Sequence, residues 1–245
     1  MDSYYDHVDE LDVVVPSFSE IGTKLQLENV KSCVAIGCGH GILELPYLEH
    51  CMPNLSHFTA VEPDAESVEM LKMKLAERLP SVRSVVLPDT VQRWQGVDQL
   101  VDAVLLFHFL YYLNTQERLQ LYKRLFDTIV QSGSYVSILF HPYHNSGEPS
   151  ADCRILHRLQ FSELNHELIS DREVVETVTA VGFELSYERM YQCYMNVEHL
   201  DDAFLSLILG DSERSLESVR LVAKEVFGDS KQSRHDIWLG VFRKP

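Results

Sequence analysis

Five short runs, Ser32 to Ile36, His57 to Val61, Arg83 to Leu87, Ala103 to Phe107 and Tyr135 to Phe140, are rich in apolar and β-branched residues. Each is continuously apolar or alternates with period two, the pattern of a strand buried in a sheet. Helical periodicity fills the gaps, over roughly Leu43 to Cys51, Ala65 to Leu79 and Thr115 to Val130. In the second helix Val68, Leu71, Leu75 and Leu79 share a face; in the third, Leu119, Tyr122, Leu125, Phe126 and Ile129 do. Strand alternating with helix implies a parallel sheet covered on both faces. A later helix is expected from Ser170 to Ala180, with Ser170 as its cap, Glu173 reciprocating, and Gly182 as its stop. Strand candidates follow at Glu184 to Val197 and Ile237 to Phe242, separated by helical patterns around Leu200 to Leu209 and Leu216 to Phe227. The expected fold is α/β, a doubly wound, mostly parallel, seven-stranded sheet. With 45% apolar and 24% charged residues, the 245-residue chain suits one domain.

The first strand runs into VAIGCGHGILEL, where Gly37, Gly39 and Gly41 alternate ahead of a helix. A dinucleotide turn would carry its third glycine three positions beyond the second, beside the pyrophosphate. Ile42 stands there instead, so the spacing is G-x-G-x-G and departs from the dinucleotide pattern. The second strand ends in VEPDAES, with Glu62 and Pro63 at its C-terminal end. A carboxylate at that point has the acceptors to bind both hydroxyls of a ribose. After the third strand, LPDTVQRW carries Asp89 and Thr90, each a good cap for the next segment and, by the resemblance to S-adenosylmethionine-dependent methyltransferases that the glycine turn brings, each placed to bind an adenine's exocyclic amine. The fourth strand closes at Phe107 in VLLFHFLYYL, where an open α/β sheet presents its ligands; Phe107 is expected to give an apolar wall there.

The G-x-G-x-G turn resembles the first motif of the class I S-adenosylmethionine-dependent methyltransferases. In combination with VEPDAES and FLYYL, it is similar to the histamine N-methyltransferase family over about Val34 to Leu139. The resemblance implies a Rossmann-like methyltransferase fold with S-adenosyl-L-methionine as cofactor and S-adenosyl-L-homocysteine as product. Carried across, it assigns the cofactor to Gly37, Glu62, Ser67, Thr90 or Val91, and Phe107. Ser67 is shorter than the family's Gln, and Ala35 replaces an acidic residue that many class I enzymes carry two positions before the first glycine. The segment of about 30 residues before the first strand is shorter than the one that supplies a carboxylate and aromatics to the amine in that family.

Methyl transfer from a sulfonium is an in-line displacement, so a site of this kind holds the acceptor's lone pair about 3 Å from the methyl and excludes water. A nearby base takes the proton. The candidates are His108 first, then Tyr111 and His235, with Tyr112, His141 and His144 behind them. The expected activity is N-methylation of a small amine or imidazole. The alternatives are O-methylation of a small carboxylate or phenol, and a non-catalytic cofactor-binding interaction protein. The expected sections are an N-terminal helical cap (1–30), a cofactor-binding core (31–141), a lid insertion (142–169) and a C-terminal half with substrate-site segments (170–245).

Charge and composition narrow the partners. With 21 basic and 37 acidic residues the net charge is −16, which repels nucleic-acid phosphates and anionic lipid. MDSYYDHVDELD lacks the basic flank and apolar run of a signal peptide, and VLLFHFLYYL is too short to span a bilayer. A cytoplasmic monomer is expected. The five cysteines lack metal-site or disulfide-framework spacing, so no metal is expected, and Cys38 reads as a small buried side chain under the cofactor.

Overall fold

Nine strands form among the residues that the computed structural model describes, 2–142, 154, 155, 158, 169–198, 200–202, 205 and 215–245. They are β1 (Ser32–Ile36), β2 (His57–Val61), β3 (Arg83–Leu87), β4 (Val101–Phe107), β5 (Val130–Phe140), β6 (Glu184–Tyr191), β7 (Tyr194–Asn196), β8 (Gln232–Arg234) and β9 (Ile237–Arg243). Seven make one sheet in the order β3-β2-β1-β4-β5-β9-β6. The pairs from β3 to β5 are parallel, and β9 runs antiparallel to both its neighbours. The strand order reverses between β1 and β4, which makes their carboxyl ends the crevice of the sheet.

The helices are α1 (Asp2–Tyr5), α2 (Glu10–Val14), α3 (Phe18–Leu25), α4 (Glu44–Cys51), α5 (Ala65–Arg78), α6 (Thr115–Arg124), α7 (Asp171–Val181) and α8 (Leu216–Phe227). One face of the sheet meets α3, α4 and α5 around Phe18, Tyr47, Leu71 and Phe107. The other meets α6 and α7 around Tyr122, Leu125, Val174 and Trp238. The central strands β1, β4, β5 and β9 are therefore covered on both faces, as continuously apolar strands require.

Three local expectations are corrected. The third helix ends at Arg124 rather than Val130: a π-helical turn spans Leu125–Ile129, and Val130 already begins β5. Its start carries a capping box unforeseen in the sequence, Asn114 with Glu117. Ser170 does cap α7 by accepting from the Glu173 N–H at 3.0 Å, but the Glu173 carboxylate bonds the buried Arg118 guanidinium instead of reciprocating. The strand expected over Glu184 to Val197 breaks at Gln192 and Cys193, and β7 leaves the main sheet to pair with β8.

That β7–β8 ribbon belongs to a smaller layer above the sheet. Val8 bridges Met195, Asp9 N–H donates to the Tyr194 carbonyl at 3.1 Å and Asn196 N–H to the His7 carbonyl at 2.7 Å. Tyr4, Val8, Met195, Val219 and Phe227 form its own apolar cluster. The expected lid over 142–169 and helix around Leu200 to Leu209 lie largely outside the described residues. No helix among the described residues is long and apolar enough to cross a membrane. Cys33, Cys38, Cys51 and Cys193 are buried free thiols.

Candidate active site

Gly37, Glu62 and His108 are the residues that immediately follow β1, β2 and β4, and each extends its strand's ladder. Gly37 N–H donates to the Val61 carbonyl at 2.8 Å, Glu62 N–H to Leu87 at 3.0 Å and His108 N–H to Leu139 at 2.8 Å. Their backbones are fixed by the sheet at its crevice.

The glycine turn is the nearest feature. Gly37 has φ +66°, and a Cβ there would fall 2.2 Å from the Phe109 ring. Gly41, at φ +70°, would meet Leu71 of α5 at 2.6 Å. Both positions therefore exclude a side chain by conformation and by space. Glu62 holds the turn in place. It is 6% exposed; Oε2 accepts the Gly39 N–H at 2.8 Å and Oε1 the Asp64 N–H at 3.0 Å. A carboxylate has about four acceptor sites, so each oxygen retains capacity for a ligand hydroxyl. Glu62 is thus a clamp of the loop as well as a candidate ligand.

A cavity of about 560 Å³ opens over this turn, within the range of small-molecule sites. Gly37, Glu62, Pro63, Ser67, Thr90 and Val91 line it. Ile36, Val61, Phe109 and Leu113 supply its apolar walls, and Tyr112, 51% exposed, its mouth. Its ionic lining is Glu62, Asp64 and Glu66, without Lys or Arg. Four expected residues are not among the lining: Gly39 and Gly41 lie within the turn beneath it, and Phe107 and Asp89 take other places. Phe107 is buried edge-on against Tyr47 at 5.2 Å, and Phe109 lines the cavity in its place: residues two apart in a strand share a face, and the left-handed backbone of His108, φ +47°, breaks that alternation. The Asp89 carboxylate accepts the Thr90 N–H at 2.9 Å and pairs with Arg93, so it shapes the loop rather than the cavity. The Ser67 N–H donates to Asp64, the cap of α5, and hydrogen bonds from the Ser67 backbone and then its side chain hold the Asp64 carboxyl below its usual range.

Beside the cavity, His108, Tyr111 and His235 come together, joined by residues the sequence reading left out. His108 has φ +47°, a left-handed conformation that costs a non-glycine residue about 1–2 kcal/mol. Its Nε2 lies 2.7 Å from Oε1 of Glu10, and its Nδ1 3.0 Å from the Tyr111 hydroxyl. A carboxylate only accepts, so Nε2 carries its proton toward Glu10 and Nδ1 accepts from Tyr111. Tyr111 also accepts the His141 N–H at 2.9 Å and stacks on the His141 ring at 4.5 Å. From the upper layer, the Tyr4 hydroxyl lies 2.6 Å from His235 Nε2 and donates to Glu10 Oε2 at 3.3 Å. Glu10 and His235 are fully buried.

Glu44, in the first turn of α4, is a further buried carboxyl. Burial raises its pKa to about 8; N–H groups at the start of α4 counter this in part, and the charges of Glu62 and Glu10 add to it. The same surroundings push the Cys38 thiol well above its ordinary value, through burial first and then Glu44 and Glu62, so it stays protonated and unreactive. Glu10, Tyr4 and Glu44 were absent from the sequence reading. The signal available was the spacing Tyr4, Val8, Leu11, Val14 and Phe18, an apolar stripe at helical period within the acidic N-terminus.

No family model matches the chain, and no curated protein sequence matches it. Solved structures do. A structure of the N-methyltransferase NodS from Bradyrhizobium japonicum, in complex with S-adenosyl-L-homocysteine, superposes with a TM-score of 0.56 at 13% identity, covering 94% of this chain and 87% of that one. The mitomycin 7-O-methyltransferase MmcR gives 0.60 at 14% identity over 94% of this chain and 54% of that one. The (4+2)-cyclase SpnF gives 0.61 at 14% identity over 94% and 80%. The chain has the Rossmann-like fold of these methyltransferases, a fold that a cyclase shares, so the activity has to be argued from the site.

Proposed function

We propose that the chain binds S-adenosyl-L-methionine over the glycine turn and transfers its methyl group to a small acceptor, an amine or imidazole, held beside His108. The observation that carries this reading is the cavity itself. It joins a bare-backbone turn, a rigid carboxylate at the end of β2 and apolar walls, and its lining holds three acidic side chains and one imidazole, His40, but no lysine or arginine. A phosphate-bearing ligand would be repelled by that lining. A ribose with a flat base and a cationic, phosphate-free tail is matched by it. Glu62 receives the ribose hydroxyls, Ile36, Val91 and Phe109 enclose the base, and Thr90 and Ser67 offer hydroxyls at its edge.

When bound, the cofactor supplies an electrophilic methyl on a cationic leaving group. The chain's own residues hold the acceptor and manage its proton. His108 stands one residue from Phe109, so the cavity and the imidazole cluster share one loop. Glu10 fixes the His108 ring and offsets the positive charge that the ring or a methylated amine acquires. The buried setting of Glu10, His235 and Tyr4 keeps water from the transfer.

One observation favours the second reading, O-methylation: a phenol, that of Tyr4, already sits between His235 and Glu10. Turnover with labelled S-adenosylmethionine on panels of amines, imidazoles and phenols decides. Methylated amine or imidazole supports the first reading, and phenol alone the second. Binding of S-adenosylhomocysteine without turnover on any panel makes the chain a non-catalytic binding module.

A further inference from the structure

Tyr4 is the one member of the imidazole cluster that comes from the short helix α1. Its ring is buried among polar groups rather than in a purely apolar core: edge-on to His108 at 6.0 Å and to His235 at 5.7 Å. Its hydroxyl is held by His235 and Glu10. Those contacts are what a site needs to recognise a small aromatic ring with one polar hydrogen-bearing edge: two ring faces, one imidazole nitrogen and one carboxylate oxygen. The neighbouring backbone stitches between the N-terminal segment and the ribbon begin at His7 and Asp9, beyond Tyr4 in the chain. Tyr4 can therefore leave while Asp9 stays bonded to Tyr194.

We infer that the Tyr4 side chain occupies the place of the methyl acceptor, and that the acceptor is an aromatic or heteroaromatic ring bearing an N–H or O–H, which displaces it. The inference rests on the reading of a methyltransferase site given above and narrows the acceptor from amines, imidazoles and phenols to polar rings. Tyr4 leaves with the first turn of the chain, and the ring that replaces it keeps the His235 and Glu10 contacts. The cluster then needs no new side chain to bind its substrate.

The test uses the full chain saturated with S-adenosylhomocysteine, and imidazole, phenol and n-butylamine as probes, with binding read by calorimetry. Tyr4→Ala opens the ring's volume, and Tyr4→Phe leaves the ring but cuts its tether. The expected order of affinity for imidazole or phenol is Tyr4→Ala above Tyr4→Phe above the parent, with Tyr4→Ala about tenfold tighter than the parent or more; n-butylamine gains nothing. If Tyr4→Ala does not fold, Tyr4→Phe carries the test, expected to bind the ring severalfold tighter than the parent. Equal ring affinities in parent and variants, or an equal gain for n-butylamine, overturn the inference. Failure of the parent to bind S-adenosylhomocysteine overturns the cofactor reading instead, and the ring titrations are then read without it.

Discussion

His108 Nε2 and Glu10 Oε1 lie 2.7 Å apart although 98 residues separate them in the chain. That bond ties the end of β4, beside the cavity, to the N-terminal segment above it. It also holds the imidazole in a left-handed backbone position that the side chain would not choose alone. Glu10→Gln keeps the volume and removes the charge. Methyl transfer to whichever acceptor the panels identify is expected to fall about 10²-fold or more, the usual worth of a positioned proton acceptor. Affinity for S-adenosylhomocysteine should hold within about twofold, because Glu10 lines no part of the cavity. His108→Asn, which tolerates the left-handed conformation, should lose turnover in the same way. Unchanged turnover in both variants would remove His108 and Glu10 from the chemistry.

Gly37 is expected to be the least replaceable glycine of the turn. Gly37→Ala combines a positive φ with a Cβ placed 2.2 Å from the Phe109 ring, whereas at Gly133 the φ is also positive, +85°, but the nearest atom stands 3.8 Å away. Positive φ alone disfavours alanine by about 1 kcal/mol. Gly37→Ala should therefore lower the denaturant midpoint clearly more than Gly133→Ala, and should also weaken S-adenosylhomocysteine binding. Equal losses would mean that Phe109 moves aside freely and is no fixed wall.

Glu44 makes stability depend on pH. Its pKa is raised from an ordinary 4.5 to about 8, chiefly by burial. Between those values the folded chain holds a proton that the unfolded chain has released. Stability therefore declines as pH rises through that window and levels off above it. Glu44→Gln mimics the protonated form and should remove this decline. Its advantage over the parent is expected to be near zero at pH 5 and largest at pH 8 and above, in denaturant midpoints taken across that range. Parallel curves would show that Glu44 ionises freely in the folded protein.

The strands near the crevice were legible because buried parallel strands carry apolar runs; β1 and β2 fall at the expected residues, and the edge strand β3 does too by its β-branched residues. What followed β5 was harder to read. The break at Gln192 and Cys193 depends on β7 finding β8, about forty residues away, and no local pattern encodes that partner. Phe107 and Phe109 illustrate a finer failure. Both are apolar at a strand end, and only the twist of the chain past His108 decides which one faces the cavity. Glu10 was hidden for another reason. In MDSYYDHVDELD a carboxylate reads as solvated, and its burial comes from Tyr4, His108 and His235 closing around it, three residues scattered through the sequence. Glu62, by contrast, was visible from its place after β2, although its bonds to the Gly39 and Asp64 N–H groups were not.

Calorimetric titration with S-adenosylhomocysteine of the parent, Glu62→Gln and Glu62→Ala shows whether Glu62 joins the glycine turn to a ribose-bearing cofactor. Hydrogen bonds to a charged group contribute about 1.5–3 kcal/mol each, and about 1.4 kcal/mol is tenfold in affinity. One site per chain is expected in the parent, at least tenfold weaker binding in Glu62→Ala and a smaller loss in Glu62→Gln. Glu62→Ala should also melt below the parent, since the Gly39 and Asp64 N–H groups lose their acceptor. Binding by Glu62→Ala as tight as the parent's, or none by the parent, would contradict the account.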